Sequence, residues 1–183
     1  MEYTEIELIQ KAKAFDQSAL AIIYDRYSTP LYQYAYRQLG NQQMAEDCVA
    51  ETFTRFLRIL KNKKGPKEYL RAYLYRIAHN WITDQFRRKT STLEELDEQI
   101  EQIESDQVGV ETAVLKKLNG QQLRGLLKEL TPEQRQVIAL KHLEDMSNNE
   151  VAEIMERNVG SIKALNSRGL ARLRKLIEEQ GIE

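Results

Sequence analysis

Between Thr90 and Thr112 the chain carries Glu94, Glu95, Asp97, Glu98, Glu101, Glu104, Asp106 and Glu111, and no lysine or arginine. Basic clusters flank it, Arg87-Arg88-Lys89 before and Lys116-Lys117 after. Such a run repels itself and offers too little apolar surface to offset the entropy of ordering, so it belongs to no core. It splits the 183 residues into two halves, each with room for a modest core. The net charge of −1 therefore hides a segregation: two basic modules joined by an acidic, flexible tether. Leu93, Leu96, Ile100 and Ile103 are spaced to form a helix against a suitable surface.

Both halves read as helical. The chain holds only 8 glycines and 3 prolines, 30% of its residues are charged, and no stretch alternates as a strand would. In the first half, Thr4-Glu5-Ile6-Glu7 is a capping box, opening a helix to about Phe15. Asp16 caps a second, within which Thr29-Pro30 either kinks the helix or starts a new one ending at Gly40. Asn41 caps a third, to about Leu60, and a basic loop from Lys61 leads to a helix over 66–89. In that last helix Leu70, Tyr73, Leu74, Ile77, Ala78, Trp81, Ile82 and Phe86 form an apolar stripe. Trp81 and Phe86 are expected in the core, Tyr69 and Tyr75 at the surface, and His79 on the surface beside Asn80.

The second half carries successive caps. Thr131-Pro132-Glu133-Gln134 and Ser147-Asn148-Asn149-Glu150 are capping boxes, and Asn158 can cap a final helix. That helix places Ile162, Leu165, Leu170, Leu173, Leu176 and Ile177 on one side and Lys163, Arg168, Arg172, Arg174 and Lys175 on the other, with no acid between Glu156 and Glu178. A short capped helix, a tight turn and a basic helix opening on small polar residues form a helix-turn-helix suited to a major groove. Capped amphipathic helices also occur as plain packing elements, and a basic face is often only a solvated one.

A second polar row lies on the helix of the first half. Arg76, Asn80, Asp84 and Arg88 are each four residues apart, a line about 18 Å long at ~1.5 Å per residue. Part of it could be ordinary i,i+4 pairing. Aromatics beside basic residues can equally stack on the splayed bases of a single strand.

Several function classes are excluded. No apolar run approaches the ~20 residues that span a bilayer, so no membrane insertion is expected. The acidic amino terminus is unlike a signal peptide, and the single Cys48 excludes a disulfide scaffold, which fits the cytoplasm. His79 and His142 lie in different halves without partners at metal-ligand spacing. No phosphate-binding glycine loop is present either, so neither enzyme, metal nor cofactor is expected.

Three segments together resemble the bacterial sigma-70 family of RNA polymerase sigma factors, in its extracytoplasmic-function (ECF) group. YDRYSTPLYQYAYRQLGNQQMAEDCVAETFTRFLRIL is similar to regions 1.2 to 2.2, and YLRAYLYRIAHNWITDQFRRK to regions 2.3 and 2.4. LTPEQRQVIALKHLEDMSNNEVAEIMERNVGSIKALNSRGLARLRK is similar to region 4. The resemblance runs from about Ala19 to Ile177, in the family's order. It implies an all-α chain of two small helical domains: 1–89 for polymerase docking and the −10 element, 90–112 as linker, 113–183 for the −35 element.

The same resemblance implies site residues. Asp47, Glu51, Thr52 and Arg55 would dock on the clamp helices of the polymerase largest subunit, with Ala45, Cys48, Val49, Phe53 and Phe56 facing the core. Where the family pattern reads D-x-V-Q-E this chain has Ala50 at the Gln position, which removes one polar contact. Arg76, Asn80, Asp84, Arg87 and Arg88 would meet the −10 element, Asn80 and Asp84 near an extruded base, with the loop Lys61–Glu68 helping to hold it. Arg157, Ser161, Lys163, Ala164, Ser167, Arg168 and Arg172 would reach the −35 element, Lys163 and Arg168 at bases or phosphates, Arg157 and Arg172 at phosphates alone. Asn166, one turn after Ile162, would either pack and hydrogen-bond inside or shift the helix toward a base; its alignment with the core stripe favours packing. Expected partners are promoter DNA, core RNA polymerase (clamp helices and flap) and an anti-sigma factor, with the tether threading toward the active-site cleft. The rival is a helix-turn-helix regulator that binds duplex DNA without polymerase, but it leaves the Asn80–Asp84 row and the tether unexplained.

Overall fold

In the computed structural model the described residues are 3–90 and 110–182. The acidic run from 91 to 109, with its expected helix and path, lies outside them. The described residues are helical without a strand, in two compact units, Met1–Arg87 and Arg88–Glu183.

The first unit holds α1 (Glu5–Lys13), α2 (Gln17–Leu39), α3 (Gln42–Lys61) and α4 (Leu70–Thr90). Thr4, Asp16 and Asn41 cap the first three, and Gly40 ends α2 in the left-handed conformation at φ 64. Pro30 lies inside α2, which continues through it as one helix. A proline in a helix interior costs about 3 kcal/mol. Tyr27, Leu31 and Tyr34, all buried across this stretch, supply the offsetting burial, and α2 packs along α3.

The fourth helix starts at Leu70 rather than at Pro66. Residues 66–69 form the end of a loop, because the acceptor that begins the helix comes from elsewhere: Glu5 Oε1 accepts the Leu70 N–H at 2.7 Å. Helix α4 sits against both α2 and α3. The Tyr34 and Tyr75 rings meet at 5.4 Å between centroids, Phe56 and Tyr73 at 6.4 Å, and the Cys48 thiol faces Ala78 O at 3.9 Å. Contact on two sides makes the buried surface wider than one stripe. Tyr75 is therefore fully buried, contrary to the expectation of exposure, whereas Tyr69 is 65% exposed. Trp81 and Phe86 are half-buried rather than core.

The second unit holds α5 (Val110–Lys117), α6 (Gly120–Lys128), α7 (Pro132–Ile138), a π-helical turn (Ala139–Leu143), α8 (Asn148–Met155) and α9 (Val159–Gln180). Capping boxes at Thr131 and Ser147 and the Asn158 cap lie where the sequence places them; Asn119 adds a further box before α6. Leu115, Leu126, Leu127, Ile138 and Leu173 anchor one continuous core. Arg135 fastens α7 to the end of α6 by donating from Nε to Leu127 O at 2.8 Å and from Nη2 to Lys128 O and Leu130 O. Gly169 allows α9 to approach α7: a Cβ there would stand 3.0 Å from Ile138 Cγ1.

Candidate nucleic-acid interface

Helix α9 is placed by burial of Ile162, Leu165, Asn166, Gly169, Leu170, Leu173 and Leu176. At 3.6 residues per turn, the opposite face then runs through Gly160, Ala164, Ser167 and Ala171. Lys163 and Arg174 follow one edge of it and Ser161, Arg168 and Arg172 the other. Lys163 and Arg174 are exposed; Ser161, Ala164, Ser167, Arg168 and Arg172 are half-buried. The turn between α8 and α9 is short, with Glu156 in the left-handed region at φ 54. Arg157 in that turn donates to Glu133 Oε1, and Arg172 stands 3.9 Å from Glu129 Oε2. Exposed pairs of this kind are worth about 0–1 kcal/mol, so a phosphate can exchange with the carboxylate. Arg168 donates back to Ala164 O at 3.4 Å.

Beneath this face lies a buried polar chain. His142, on the π-helical turn, faces Asn166 Oδ1 with Nε2 at 2.6 Å and Thr112 Oγ1 with Nδ1 at 3.3 Å. All three are buried, so Asn166 packs and hydrogen-bonds inside. Burial holds the His142 pKa below its ordinary value against the opposing Asn166 hydrogen bond, and Lys141 and Lys116 add to the lowering. The ring is thus neutral at pH 7: Nε2–H donates to Asn166 and Nδ1 accepts from the Thr112 hydroxyl. The chain ties α5, the π turn and α9 together directly under the basic face.

On α4, Asn80, Arg87 and Arg88 are exposed, while Arg76 and Asp84 are half-buried. The row therefore reaches solvent along one side of the helix. His79 does not share that surface. It is 6% exposed, with ring nitrogens 3.5 Å from Tyr34 Oη and from Thr83 Oγ1. Burial follows from its place beside Ala78 and Ile82 on the side that meets α2. The loop before α4 exposes Lys61, Lys63, Lys64 and Lys67.

The acidic face of α3 is likewise open. Asp47 is exposed and accepts from Gln43 Nε2 at 3.0 Å; Glu51 accepts from Arg55 Nε at 2.6 Å, both half-buried. Thr52 departs from the expectation. It is fully buried and donates to Cys48 O at 2.7 Å, so it supports α3 from within and offers no surface to a partner. Ala45, Cys48, Val49 and Phe56 are buried, and Phe53 is half-buried against Tyr24, 4.9 Å between ring centroids. Burial pushes the Cys48 thiol up to about 12, leaving it unreactive. A cavity of about 290 Å³ opens beside this face, lined by Tyr24, Ser28, Thr29, Tyr32, Glu46, Val49 and Ala50. The groove arises only where α2 meets α3, so the periodicity of neither helix alone reveals it. Among the described residues no group of His, Cys, Asp or Glu is gathered to hold a metal, and no helix is long and apolar enough to cross a membrane.

Comparison with known proteins converges on these same segments. Residues 23–92 match Sigma-70 region 2 and residues 120–173 match Sigma-70, region 4. The ECF RNA polymerase sigma factor SigW of Bacillus subtilis is 32% identical, over 98% of this chain and 100% of that protein. The ECF RNA polymerase sigma factor BldN of Streptomyces coelicolor is 30% identical over 95% of this chain, which spans 66% of that protein's length. Among solved structures, CnrH in complex with the cytosolic domain of CnrY shares the fold at a TM-score of 0.71 and 23% identity, covering 96% of this chain and 97% of that one. RpoE of Bartonella quintana, in complex with the anti-sigma factor NepR, shares it at 0.64 and 24%, covering 91% and 98%. With both regions matched in order and a relative aligned along its whole length, the chain belongs to the sigma-70 family, as an RNA polymerase sigma factor of the extracytoplasmic-function group.

Proposed function

We propose that the chain directs core RNA polymerase to promoters by reading two DNA elements with two separate helices. Helix α4 reads and opens the −10 element through Arg76, Asn80, Asp84, Arg87 and Arg88. Helix α9 and the turn before it seat the −35 element through Arg157, Ser161, Lys163, Ala164, Ser167, Arg168 and Arg172. Asp47, Glu51 and Arg55 on α3 dock on polymerase; Thr52 is left out because it is buried. The domains follow as 1–89, 90–112 and 113–183, with the tether between them.

The observation that carries this reading is the side of α4 that places exposed Asn80 between Arg76 and Asp84, on a helix that a lysine-rich loop precedes. Each base-pair step of duplex opened costs on the order of 1–2 kcal/mol, so a surface that captures an unstacked base lets binding drive melting. Nothing in that step requires catalysis by this chain. The near-neutral net charge of −1 also suits a protein that binds DNA with help from polymerase rather than unaided. The chain would act in the cytoplasm, and solved relatives held by anti-sigma proteins support a partner of that class here.

Permanganate footprinting of a promoter with reconstituted holoenzyme tests the assignment. Asn80→Ala with Asp84→Ala is expected to abolish strand opening while sparing core binding; intact opening would overturn the −10 role of α4. A duplex-binding regulator independent of polymerase is the rival, and no observation favours it.

A further inference from the structure

Helix α9 has no acid of its own between Glu156 and Glu178, so a carboxylate that meets its basic residues comes from another element. The α6–α7 junction supplies two. Glu129 ends α6, and Glu133 lies in the first turn of α7. Glu133 Oε1 accepts from Arg157 Nη2 in the turn before α9, and Glu129 Oε2 stands 3.9 Å from Arg172 Nη2 on α9 itself. Arg157 and Arg172 are the two residues of this surface read as phosphate contacts alone. Each is met by a carboxylate of the same chain before any DNA arrives.

The junction is built to stay there. Arg135 donates to Leu127 O, Lys128 O and Leu130 O, the carbonyls on either side of Glu129. The Thr131 capping box fixes the turn that carries Glu133. Gly169 lets α7 lie close to α9: a Cβ there would stand 3.0 Å from Ile138 Cγ1 and 3.6 Å from Gln134 Cβ, the residue after Glu133. Fixed backbone on both elements therefore holds the two carboxylates at the edge of the DNA-reading face.

We propose that Glu129 and Glu133 form an acidic mask: they occupy Arg157 and Arg172 in place of phosphates and weaken the chain's unaided grip on duplex DNA. Sequence-independent affinity comes from the phosphates that lysine and arginine neutralise, so each masked guanidinium is withdrawn from it. Phosphate takes the place of carboxylate when polymerase holds the promoter against this face. The inference rests on the reading of α9 as the −35 helix and adds to it the residues that set its affinity without polymerase.

The test titrates the full chain, without polymerase, into a fluorescein-labelled DNA duplex of mixed sequence and follows anisotropy at stepped salt concentrations. Glu129→Gln with Glu133→Gln keeps the side-chain shapes and removes both charges. Binding is expected to tighten about 3- to 25-fold, since one exposed ion pair resists exchange by up to roughly 5-fold. The slope of log affinity against log salt should steepen by about 0.9 for each phosphate newly contacted. Each single substitution should supply part of both effects, so one well-folded variant suffices. Unchanged or weaker binding would overturn the mask, and weaker binding would show that the carboxylates hold the arginines ready for DNA. Tighter binding at an unchanged slope would mean no new phosphate contact and would overturn it as well. Repeating the glutamine substitutions with Arg157→Ala and Arg172→Ala should remove most of the gain. An equal gain without the arginines would reduce the carboxylates to general repulsion, against the proposal. Glutamine variants without gain, alongside transcription that needs Lys163 and Arg168, would sink this inference alone. Transcription indifferent to Lys163→Ala with Arg168→Ala would sink the α9 reading beneath it.

Discussion

Replacing Asn166 by leucine puts an apolar residue on the core side of α9 and strips the His142 ring of one of its two partners. The ring loses the acceptor that Nε2–H now meets at 2.6 Å, inside a site where His142 is 4% and Asn166 8% exposed. A buried donor left without a partner costs about 1–3 kcal/mol. For a unit the size of Arg88–Glu183, each kcal/mol moves the midpoint of thermal unfolding by roughly 4–8 °C. The transition of the second unit should therefore fall by roughly 5–20 °C, read by circular dichroism on the full chain, while the first unit's transition stays in place. Adding His142→Leu removes the isolated donor and should recover most of the loss, leaving the cost borne by Thr112 Oγ1. An Asn166→Leu variant as stable as wild type, or a double variant worse than the sum of its parts, would refute the assignment of an Nε2–H donor.

Three further outcomes follow from particular contacts. The lowered pKa of His142 means that the unfolded chain binds its proton first, so the second unit is fully stable above about pH 6.5 and loses stability as pH falls below it. Unfolding midpoints between pH 5 and 7 check this, and His142→Gln should flatten the slope. Gly169→Ala gains about 1 kcal/mol of helix propensity but forces Ile138, 3.0 Å from the new Cβ, to shift at about 1–3 kcal/mol; denaturant unfolding should show a net loss. Glu51→Lys should weaken core-polymerase binding in a pull-down titration, whereas Thr52→Val should act on stability instead, since Thr52 donates only inward to Cys48 O.

What the sequence revealed was local. The caps at Thr4, Asp16, Asn41, Thr131, Ser147 and Asn158 lie within three residues of the amides they serve, so the starts of six helices could be read directly. The start of α4 could not, because its acceptor is Glu5 on a distant helix. Burial was legible where one helix face meets one neighbour, as on α9, where the stripe through Ile162 and Leu173 also placed Asn166 inside. It failed on α4, packed from two sides, where Tyr75 and His79 extend the buried surface past a single stripe. Thr52 was misplaced for a related reason: family resemblance carries a motif, while its hydroxyl is taken up by the preceding turn of α3. The candidate surfaces themselves were visible as charge, in the Arg76–Arg88 row and in Lys163 and Arg168. Pairing of Arg157 with Glu133 depended on how α7 meets the α8–α9 turn.

The central claim is that promoter recognition is divided between α4 and α9 and needs polymerase to bring both to DNA. Transcription from a promoter library, with core polymerase and this chain supplied singly and together, tests it most directly. Specific transcripts should appear only with both present, and the chain alone should show no tight, selective duplex binding. Selective binding by the chain alone, with no transcript gained when polymerase is added, would contradict the account.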